Sequence, residues 1–343
     1  MDSAFIIEKS VVIVTVFAIT MIMAMYSTWA ERKVAAFLQD RVGPNRAGWG
    51  GLLQPLADGM KLFAKEEFEP NTKNKFLFFV GPAIAMSTAL MTSAVIPWGD
   101  KLHIFGRDVV LQATDIDNAL LYVFAIVSIG VYGIMIGGWA SNNKFSLMGA
   151  VRAASQMVSY EIAMGLSVIA LLMMTGTLSL KEISVQQAGM NWNVFYQPVG
   201  FLIFLICAFA ETNRTPFDLA ECESELIGGY HTEYSSMKMG FYLFAEYANM
   251  FISSAILAIL YFGGYNYPGM QWMVDNVGVN TANLIGIGVL FIKICFFIFF
   301  YMWVRWTIPR FRYDQLMNLG WKILIPLSIV NIIITGICIL AFK

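Results

Sequence analysis

Acidic residues are concentrated in one part of this chain, beside long apolar segments. Seven of its 23 carboxylates fall within the 36 residues from Glu211 to Glu246. At a separation of ~6 Å and an effective dielectric constant of ~20, two carboxylates repel each other by roughly 3 kcal/mol. Such repulsion moves the pKa of a glutamate from ~4.3 towards ~6. The cluster therefore predicts side chains that take up and release protons near neutral pH.

The predicted proton relay extends this cluster into the neighbouring apolar segments. A solvated, acid-rich loop is a sufficient explanation for Glu223 or Glu233 alone. It does not explain Glu211 and Glu246, whose positions in the sequence place them at membrane depth, where a charge is costly. The relay is predicted to consist of Glu161, Glu211, Asp218, Glu221, Glu223, Glu225 and Glu246.

Local spacing predicts how the relay is positioned. The fifth apolar segment, 195–210, has 16 residues, or roughly 24 Å of helix against a hydrocarbon thickness of about 30 Å. It therefore carries Glu211 to the membrane boundary. After the following proline, the spacing of Asp218, Glu221 and Glu225 predicts that these three acids lie on one face of a helix.

The chain as a whole has the composition of a membrane protein. It has 343 residues, of which 58% are hydrophobic and 13% charged, and its mean hydropathy is +0.65. A soluble protein would carry about twice that share of charge. We therefore expect an all-α polytopic membrane protein that forms a single integral membrane domain over residues 1–343. The predicted spans lie near 10–29, 76–98, 118–140, 157–175, 197–213, 239–263, 284–306 and 321–342.

The distribution of basic residues predicts the orientation of these eight spans. Loops 1, 3, 5 and 7, counted from the first span, hold 16 of the 22 lysines and arginines. Positively charged loops face the cytoplasm, so both termini are expected on the other side of the membrane. The first span is interpreted as a retained helix and not a signal peptide, because a single lysine precedes it and a small-residue cleavage site is lacking.

Loop 1 contains an amphipathic helix, predicted over 50–66. Apolar side chains recur at helical spacing on one face, and polar side chains lie on another. The helix is expected to lie along the membrane surface with its apolar face inward. A solvated face on an ordinary loop helix explains any single charge equally well, but not the whole pattern. The apolar stripe is Leu52, Leu56, Met60 and Phe63, and the polar stripe is Asp58, Lys61 and Lys65.

Ionisable residues inside the sixth and seventh spans are Glu246 and Lys293. A charge at such depth predicts a function, because its insertion costs at least ~2.5 kcal/mol. The alternative is that each has a fixed partner and only orders the helix bundle, which applies more to Lys293 than to Glu246. Gly133 and Gly137 form a GxxxG motif in the third span, which predicts close helix packing.

Basic residues accompany the acids on the same side of the membrane. Those that can pair with the relay are Arg41, Arg46, Arg152 and Arg214. A further basic loop precedes the last span and is suited to docking an acidic partner, although anchoring by positive charge also explains it. It contains Arg305, Arg310 and Arg312.

Cysteine and histidine usage predicts no metal or iron–sulfur site. The four cysteines are scattered, without a CxxC pair, and the chain has only two histidines. His231 and Cys222 are interpreted as structural residues. No P-loop or GxGxxG motif follows a strand, which argues against a nucleotide site.

Six blocks of sequence together resemble one family, in the same order over about 300 residues. The blocks are ERKVAAFLQDRVGPNRAG, LLQPLADGMKLFAKE, RAASQMVSYE, ETNRTPFDLAECESEL, FAEYANMF and PRFRYDQLMNLGWK. The family is that of the H subunit of the proton-pumping NADH:quinone oxidoreductase, or respiratory complex I, known as NADH dehydrogenase subunit 1 in mitochondria. This chain departs from it at Cys222, where the family usually has glycine.

The resemblance implies a membrane heel subunit of a bacterial inner-membrane translocase, without a redox centre of its own. Quinone would be the substrate, and FMN and iron–sulfur clusters would lie in partner subunits. The implied partners are the hydrophilic-arm subunits that carry the cluster next to the quinone, small membrane subunits, antiporter-like subunits and membrane lipid, with no nucleic acid.

Carried onto this chain, the resemblance implies two groups of site residues beside the relay. The membrane part of the quinone chamber and the access to it would be formed by Arg32, Arg41, Arg46, Asp58, Lys61 and Arg214. Supporting positions would be Arg152, Lys293, Arg305, Arg310 and Arg312. The hypothesis that follows is that quinone reduction changes protonation along the acids and so drives proton translocation.

Two alternatives from other classes stay open at this point. A stand-alone ion transporter predicts inverted sequence repeats, and none is clear here. A membrane anchor subunit of a related membrane-bound hydrogenase is the second alternative. The intact 211–226 segment favours the quinone enzyme, because the hydrogenase relatives diverge in that loop.

Overall fold

The computed structural model of this chain describes residues 3–71, 73–104, 107–221 and 223–342. Apart from short 3-10 and π-helical turns, the regular elements of these residues are α-helices and one antiparallel pair of strands, so the predicted all-α class is confirmed. In chain order they are α1 (Ser3–Leu38), α2 (Gln54–Ala64), α3 (Lys75–Ser93), β1 (Lys101–Ile104), β2 (Arg107–Val110), α4 (Ala119–Ala140), α5 (Lys144–Thr175), α6 (Leu180–Gln186), α7 (Asn193–Tyr196), α8 (Pro198–Glu211), α9 (Glu223–Leu226), α10 (Ser236–Phe262), α11 (Met270–Asn276), α12 (Val279–Thr307), α13 (Tyr313–Asn318) and α14 (Ile325–Phe342).

Seven helices of the described residues are long and apolar enough to cross a membrane. They are α1, α3, α4, α5, α10, α12 and a continuous helix made of α13, a π-helical turn and α14. The remaining predicted span, the fifth, corresponds to α8, which has 14 residues and is therefore about 21 Å long. The polytopic membrane class is confirmed, and the fifth span is short, as predicted. We refer to the side of the bundle that carries loops 1, 3, 5 and 7 as the basic side.

Two helices extend well beyond the spans predicted from hydropathy. Helix α1 continues to Leu38, and α5 begins at Lys144, 13 residues before the predicted start near 157. Hydropathy does not detect these extensions because they contain charged residues. Glu31 and Arg152 lie in them, and each forms an ion pair with a residue of another segment.

Helix α10 occupies the centre of the bundle: 72% of its most apolar 18-residue stretch is buried. Helices α3 and α4 pack closely beside it because small residues face each other. A Cβ added to Gly137 of α4 would lie 2.0 Å from the Tyr242 hydroxyl of α10, and one on Gly81 of α3 would lie 2.9 Å from the Gly137 Cα. The close packing predicted from the GxxxG motif is confirmed.

The amphipathic helix of loop 1 is α2. It begins at Gln54, with a proline in its first turn, and ends at Ala64, so it is shorter at both ends than predicted. Met60 and Phe63 are 72% and 74% exposed. An exposed apolar face on a helix at the membrane boundary favours burial of that face in lipid.

The segment that follows α2 is attached to the beginning of α10. The backbone N–H of Phe68 donates a 2.8 Å hydrogen bond to Ser235 Oγ. Lys238 Nζ forms ion pairs of 2.5 Å with both Glu67 and Glu69. Lys238 and then Lys73 lower the pKa of the Glu69 carboxyl to about 2. The surface helix and the central helix are thus connected on the basic side.

The acidic loop after α8 is not helical. Residues 212–221 form turns and irregular backbone, and α9 covers only four residues. The prediction of one helical face for Asp218, Glu221 and Glu225 is therefore wrong. A side chain holds this backbone in place of a helix ladder: Gln156 Nε2 donates to the Phe217 carbonyl at 2.7 Å and to the Ala210 carbonyl, near the end of α8, at 2.8 Å.

Candidate functional site

Two cavities lie on opposite sides of α10. The first, which we term the α2 cavity, encloses about 370 Å³ between α1, α2 and α10, and its polar lining includes Glu31, Arg32, Arg41, Asp58 and Tyr247. The second, which we term the Glu246 cavity, encloses about 70 Å³ between α3, α4, α8 and α10. Its ionisable lining consists of Glu211, Tyr230, Tyr242 and Glu246.

The α2 cavity is held together by an ion pair between helices. Arg32 Nη1 of α1 lies 2.8 Å from Asp58 Oδ2 of α2. Gln54 Nε2 donates a 3.1 Å hydrogen bond to Asp58 Oδ1, which fixes the other carboxylate oxygen. The predicted residues Arg32, Arg41 and Asp58 therefore line one cavity, and the surface helix forms part of its wall.

Glu31 is the buried acid of the α2 cavity, with 7% of its surface exposed. Its carboxylate forms an ion pair with Arg305 and accepts a 2.9 Å hydrogen bond from the Tyr247 hydroxyl. A third contact comes from Arg214 Nη1, 3.6 Å from Glu31 Oε2. A buried carboxylate needs such partners, because desolvation otherwise penalises its charge.

Arg214 lies between the buried acids of the two cavities. Its Nη2 is 3.7 Å from Glu246 Oε2, and its guanidinium carbon is 4.1 Å from the centre of the Tyr247 ring. Burial acts to lower the pKa of Arg214, but Tyr247, Glu31 and Glu246 together raise it above its usual value. The arginine is therefore a fixed positive charge shared by Glu31 and Glu246.

The Glu246 cavity is lined by two tyrosines and two acids. Tyr230 donates a 3.0 Å hydrogen bond to Glu246 Oε1, and Tyr242 donates to the Gly133 carbonyl at 3.1 Å. Burial raises the pKa of Tyr230 well above its ordinary value, so its hydroxyl is a permanent donor near neutral pH. Glu211 Oε2 is buried and has no hydrogen-bond partner among the described residues. Two acids thus face one small cavity, and one of them has a free acceptor.

Glu161 lies beside this cavity and is not part of its lining. It accepts a short hydrogen bond from Ser128 of α4, and its charge acts on Glu211. The structure therefore groups Glu161, Glu211 and Glu246 in the membrane, with Arg214 and Glu31 continuing towards the α2 cavity.

The remaining predicted acids lie in the loop on the basic side. Asp218 is 5% exposed and forms a 2.8 Å ion pair with Arg310. Burial and then Glu221 raise the pKa of Asp218 to about 6, although Arg310 opposes them. Glu221 lies 3.7 Å from His231 Nδ1.

Further from the cavities, Glu225 pairs with Arg152 at 2.8 Å and is half exposed. The residue Cys222 and the side chain of Glu223 lie outside the part of the chain that the structure describes.

Other predicted residues are not brought into either cavity. Arg46 and Lys61 are exposed and do not line the α2 cavity, although both were predicted to belong to the quinone chamber. Arg312 is exposed and lies at the start of α13. Lys293 donates hydrogen bonds to backbone carbonyls at the end of α10 and lines neither cavity.

Sequence reasoning missed Glu31 and the two tyrosines that contact the buried acids, Tyr230 and Tyr247. A signal for Glu31 exists, because it continues a stripe of small buried residues on α1. The stripe consists of Thr20, Ala24, Ser27, Glu31 and Ala35, all less than 9% exposed. The tyrosines carry no comparable signal, since their roles depend on which helices meet.

The fold and site define a polytopic membrane protein with ionisable groups buried between two cavities. The family model described as NADH dehydrogenase matches residues 10–336. The chain therefore belongs to the NADH dehydrogenase family, and the resemblance seen in the six blocks is confirmed.

Individual relatives agree with this assignment. The H subunit of the NADH-quinone oxidoreductase of Flavobacterium psychrophilum is 90% identical over the whole of both chains. The protein of the same name from Flavobacterium johnsoniae is 87% identical over 99% of this chain and 97% of its own. An H subunit of the NADH-quinone oxidoreductase of Cytophaga hutchinsonii is 66% identical over 98% of each.

Proposed function

We propose that this chain is the membrane heel subunit of an NADH:quinone oxidoreductase, and that it links the membrane part of the quinone chamber to an acidic proton relay. The names of the similar proteins support a subunit of that enzyme. The single observation that carries the finer proposal is the position of Arg214, within 3.7 Å of the buried acids of both cavities.

In this proposal, the α2 cavity receives the quinone. It opens beside a surface helix with an exposed apolar face, which suits a ligand that arrives from the lipid phase. Arg32, Arg41 and Asp58 provide polar groups at its wall for the head group. The proposal assigns the redox centres, FMN and iron–sulfur clusters, to partner subunits, including the hydrophilic-arm subunit next to the quinone.

Reduction of the quinone changes the charge beside Glu31. Arg214 is always cationic. Any loss of negative charge at Glu31 therefore strengthens the attraction of Arg214 to Glu246. Two unit charges ~4 Å apart interact by about 4 kcal/mol at an effective dielectric constant of ~20. That is large enough to change the proton occupancy of an acid at the Glu246 cavity.

From Glu246, protons are exchanged with Glu211 across the Glu246 cavity and onward to Glu161. The free acceptor on Glu211 and the hydroxyl of Tyr230 are available to such a transfer. Asp218 and Glu221, supported by Arg310, connect this region to the basic side. Small membrane subunits and antiporter-like subunits would receive the signal and translocate protons.

The proposed location is the bacterial inner membrane, with both termini on the side opposite the cytoplasm. The support for this orientation is the concentration of lysine and arginine in the loops of the basic side.

The experiment replaces single acids in the assembled complex. Glu211→Gln and Glu246→Gln should preserve assembly while lowering NADH-driven quinone reduction and proton pumping. Glu66→Gln is the matched control, because this acid is exposed and does not belong to the predicted relay. Wild-type pumping in both relay variants would exclude the relay. Hydrogen evolution in place of NADH-dependent quinone reduction would favour the hydrogenase alternative.

A further inference from the structure

Helix α10 ends inside the protein, on the side opposite the basic loops. Residues 263–266 follow it without helical structure and are buried. They run along α12: the Tyr267 hydroxyl donates to the Ala282 carbonyl at 3.3 Å, and a Cβ on Gly286 would lie 2.9 Å from the Tyr265 carbonyl oxygen. Irregular backbone at membrane depth is tolerated only where its polar groups find partners in the protein.

Lys293 supplies three of those partners from the middle of α12. Its Nζ donates hydrogen bonds to the carbonyls of Phe262, Gly264 and Asn266, at 2.7, 2.8 and 2.8 Å. It also lies 5.4 Å from the centre of the Trp192 ring. A neutral amine has two N–H donors, whereas an ammonium has three. The geometry therefore requires a protonated lysine, and its charge faces the negative end of the α10 dipole.

Other side chains complete the capping of α10. Gln187 Nε2 donates to the Ile259 carbonyl and Asn193 Nδ2 to the Leu260 carbonyl, both at 2.8 Å. Ser184 Oγ donates to the Gly263 carbonyl at 2.9 Å. Carbonyls at the end of a helix normally lack partners. This end is held by four side chains, of which Lys293 is the one with a charge.

The capped end follows the part of α10 that lines the Glu246 cavity. Ile256 lines that cavity, and the residues from Leu257 to Tyr261 are completely buried. Ile256 and Phe262 are thus six positions apart, or about 9 Å along the helix. If the last turn of α10 unwound, the buried segment between Ile256 and Phe262 would no longer be intact.

We propose that Lys293 is a positioning residue that keeps the end of α10 folded and thereby prevents protons in the Glu246 cavity from leaking across the membrane. The inference rests on the proposed function, since a leak matters only in a proton-translocating enzyme. Lys293 takes no part in proton transfer, because its three N–H groups are all engaged with carbonyls.

The test uses the complete complex in proteoliposomes. An imposed pH gradient is followed without NADH, and quinone reduction is measured with an uncoupler present. Lys293→Met should accelerate decay of the gradient on the order of threefold or more, because a helix end without caps opens locally. Quinone reduction should stay within about twofold of wild type, and an entrapped dye should be retained.

Matched variants separate charge from shape. Lys293→Arg keeps a cation with several donors and should retain the gradient, whereas Lys293→Gln keeps donors without charge and should leak. Ile292→Leu is the control, since Ile292 is 70% exposed on the same helix. If Lys293→Met does not assemble, Asn193→Leu removes another cap and is measured in the same way.

Wild-type decay of the imposed gradient in Lys293→Met, or in both Lys293→Gln and Asn193→Leu, would overturn the inference. A wild-type complex that builds no gradient with NADH would instead overturn the proposed function. That result leaves the decay measurement intact, so the two failures are distinguishable.

Discussion

Glu246 and Tyr247 are adjacent residues of α10, yet they line different cavities. Consecutive positions on a helix point about 100° apart, so one helix can present side chains to two compartments. Tyr247 holds Glu31 on one side, and Glu246 accepts from Tyr230 on the other. The central helix is thus both the wall between the cavities and the element that carries groups from each.

Glu31→Gln should lower quinone reduction by about tenfold or more, because removing one charge from a buried pair costs about 3–5 kcal/mol and leaves Arg214 and Arg305 without it. NADH-driven quinone reduction in membranes with matched complex content measures the effect. Glu66→Gln, a neutralisation on the exposed surface, serves as control. Activity of Glu31→Gln within twofold of wild type would contradict this role.

Tyr230→Phe should reduce proton pumping by about tenfold, since a hydrogen bond to a charged group contributes about 1.5–3 kcal/mol. The same change should have little further effect in a Glu246→Gln background, because the two residues act through one bond. Full additivity of the two substitutions would show that the bond is irrelevant. Tyr122→Phe is the control, as its long hydrogen bond lies at the surface.

Gly137→Ala should destabilise the assembled protein by about 1–3 kcal/mol, because the new methyl group has no room beside Tyr242. Thermal unfolding and complex yield measure this change. Gly165→Ala places a methyl group in α5 where no atom lies within 4 Å. That control should be neutral or slightly stabilising. Equal yields of the two variants would argue against the tight contact.

Asp218→Asn should flatten the pH dependence of stability. The folded protein raises the pKa of Asp218 from 3.8 to about 6, so the protonated acid is favoured in the fold. The contribution of protonated Asp218 to the free energy of unfolding is fully present below about pH 3.8 and is lost as the pH rises through about 6. Between about pH 5 and about pH 7 the wild type should lose about 1 kcal/mol that the variant does not. Melting temperatures of the two proteins, measured across that pH range, check this; the same pH dependence in both would contradict the prediction.

Much of the fold follows from patterns within single segments. Hydropathy finds the long helices and the short α8, and helical spacing finds α2, because each signal is complete within one stretch of chain. The turns around Asp218 are different. Their backbone is held by Gln156 of α5, more than fifty positions earlier in the chain, and no local spacing contains that contact.

The site was predictable only where burial and charge coincide in one span. Glu211 and Glu246 meet that condition, and both line one cavity. Glu31 does not, because it lies beside Arg32 at the end of an apolar run and resembles an interfacial charge. Its importance comes from Tyr247 and Arg305, which reach it from more than 200 residues away.

The hydrogen bonds from Ser184, Gln187, Asn193 and Lys293 limit how α10 can move. A helix held at one end cannot move along its own axis without breaking several of these hydrogen bonds at once. Its other end is attached through surface contacts, among them the ion pairs of Lys238 with Glu67 and Glu69, and can therefore tilt. Any motion of α10 that links the two cavities is therefore expected to be a tilt of the helix about its capped end.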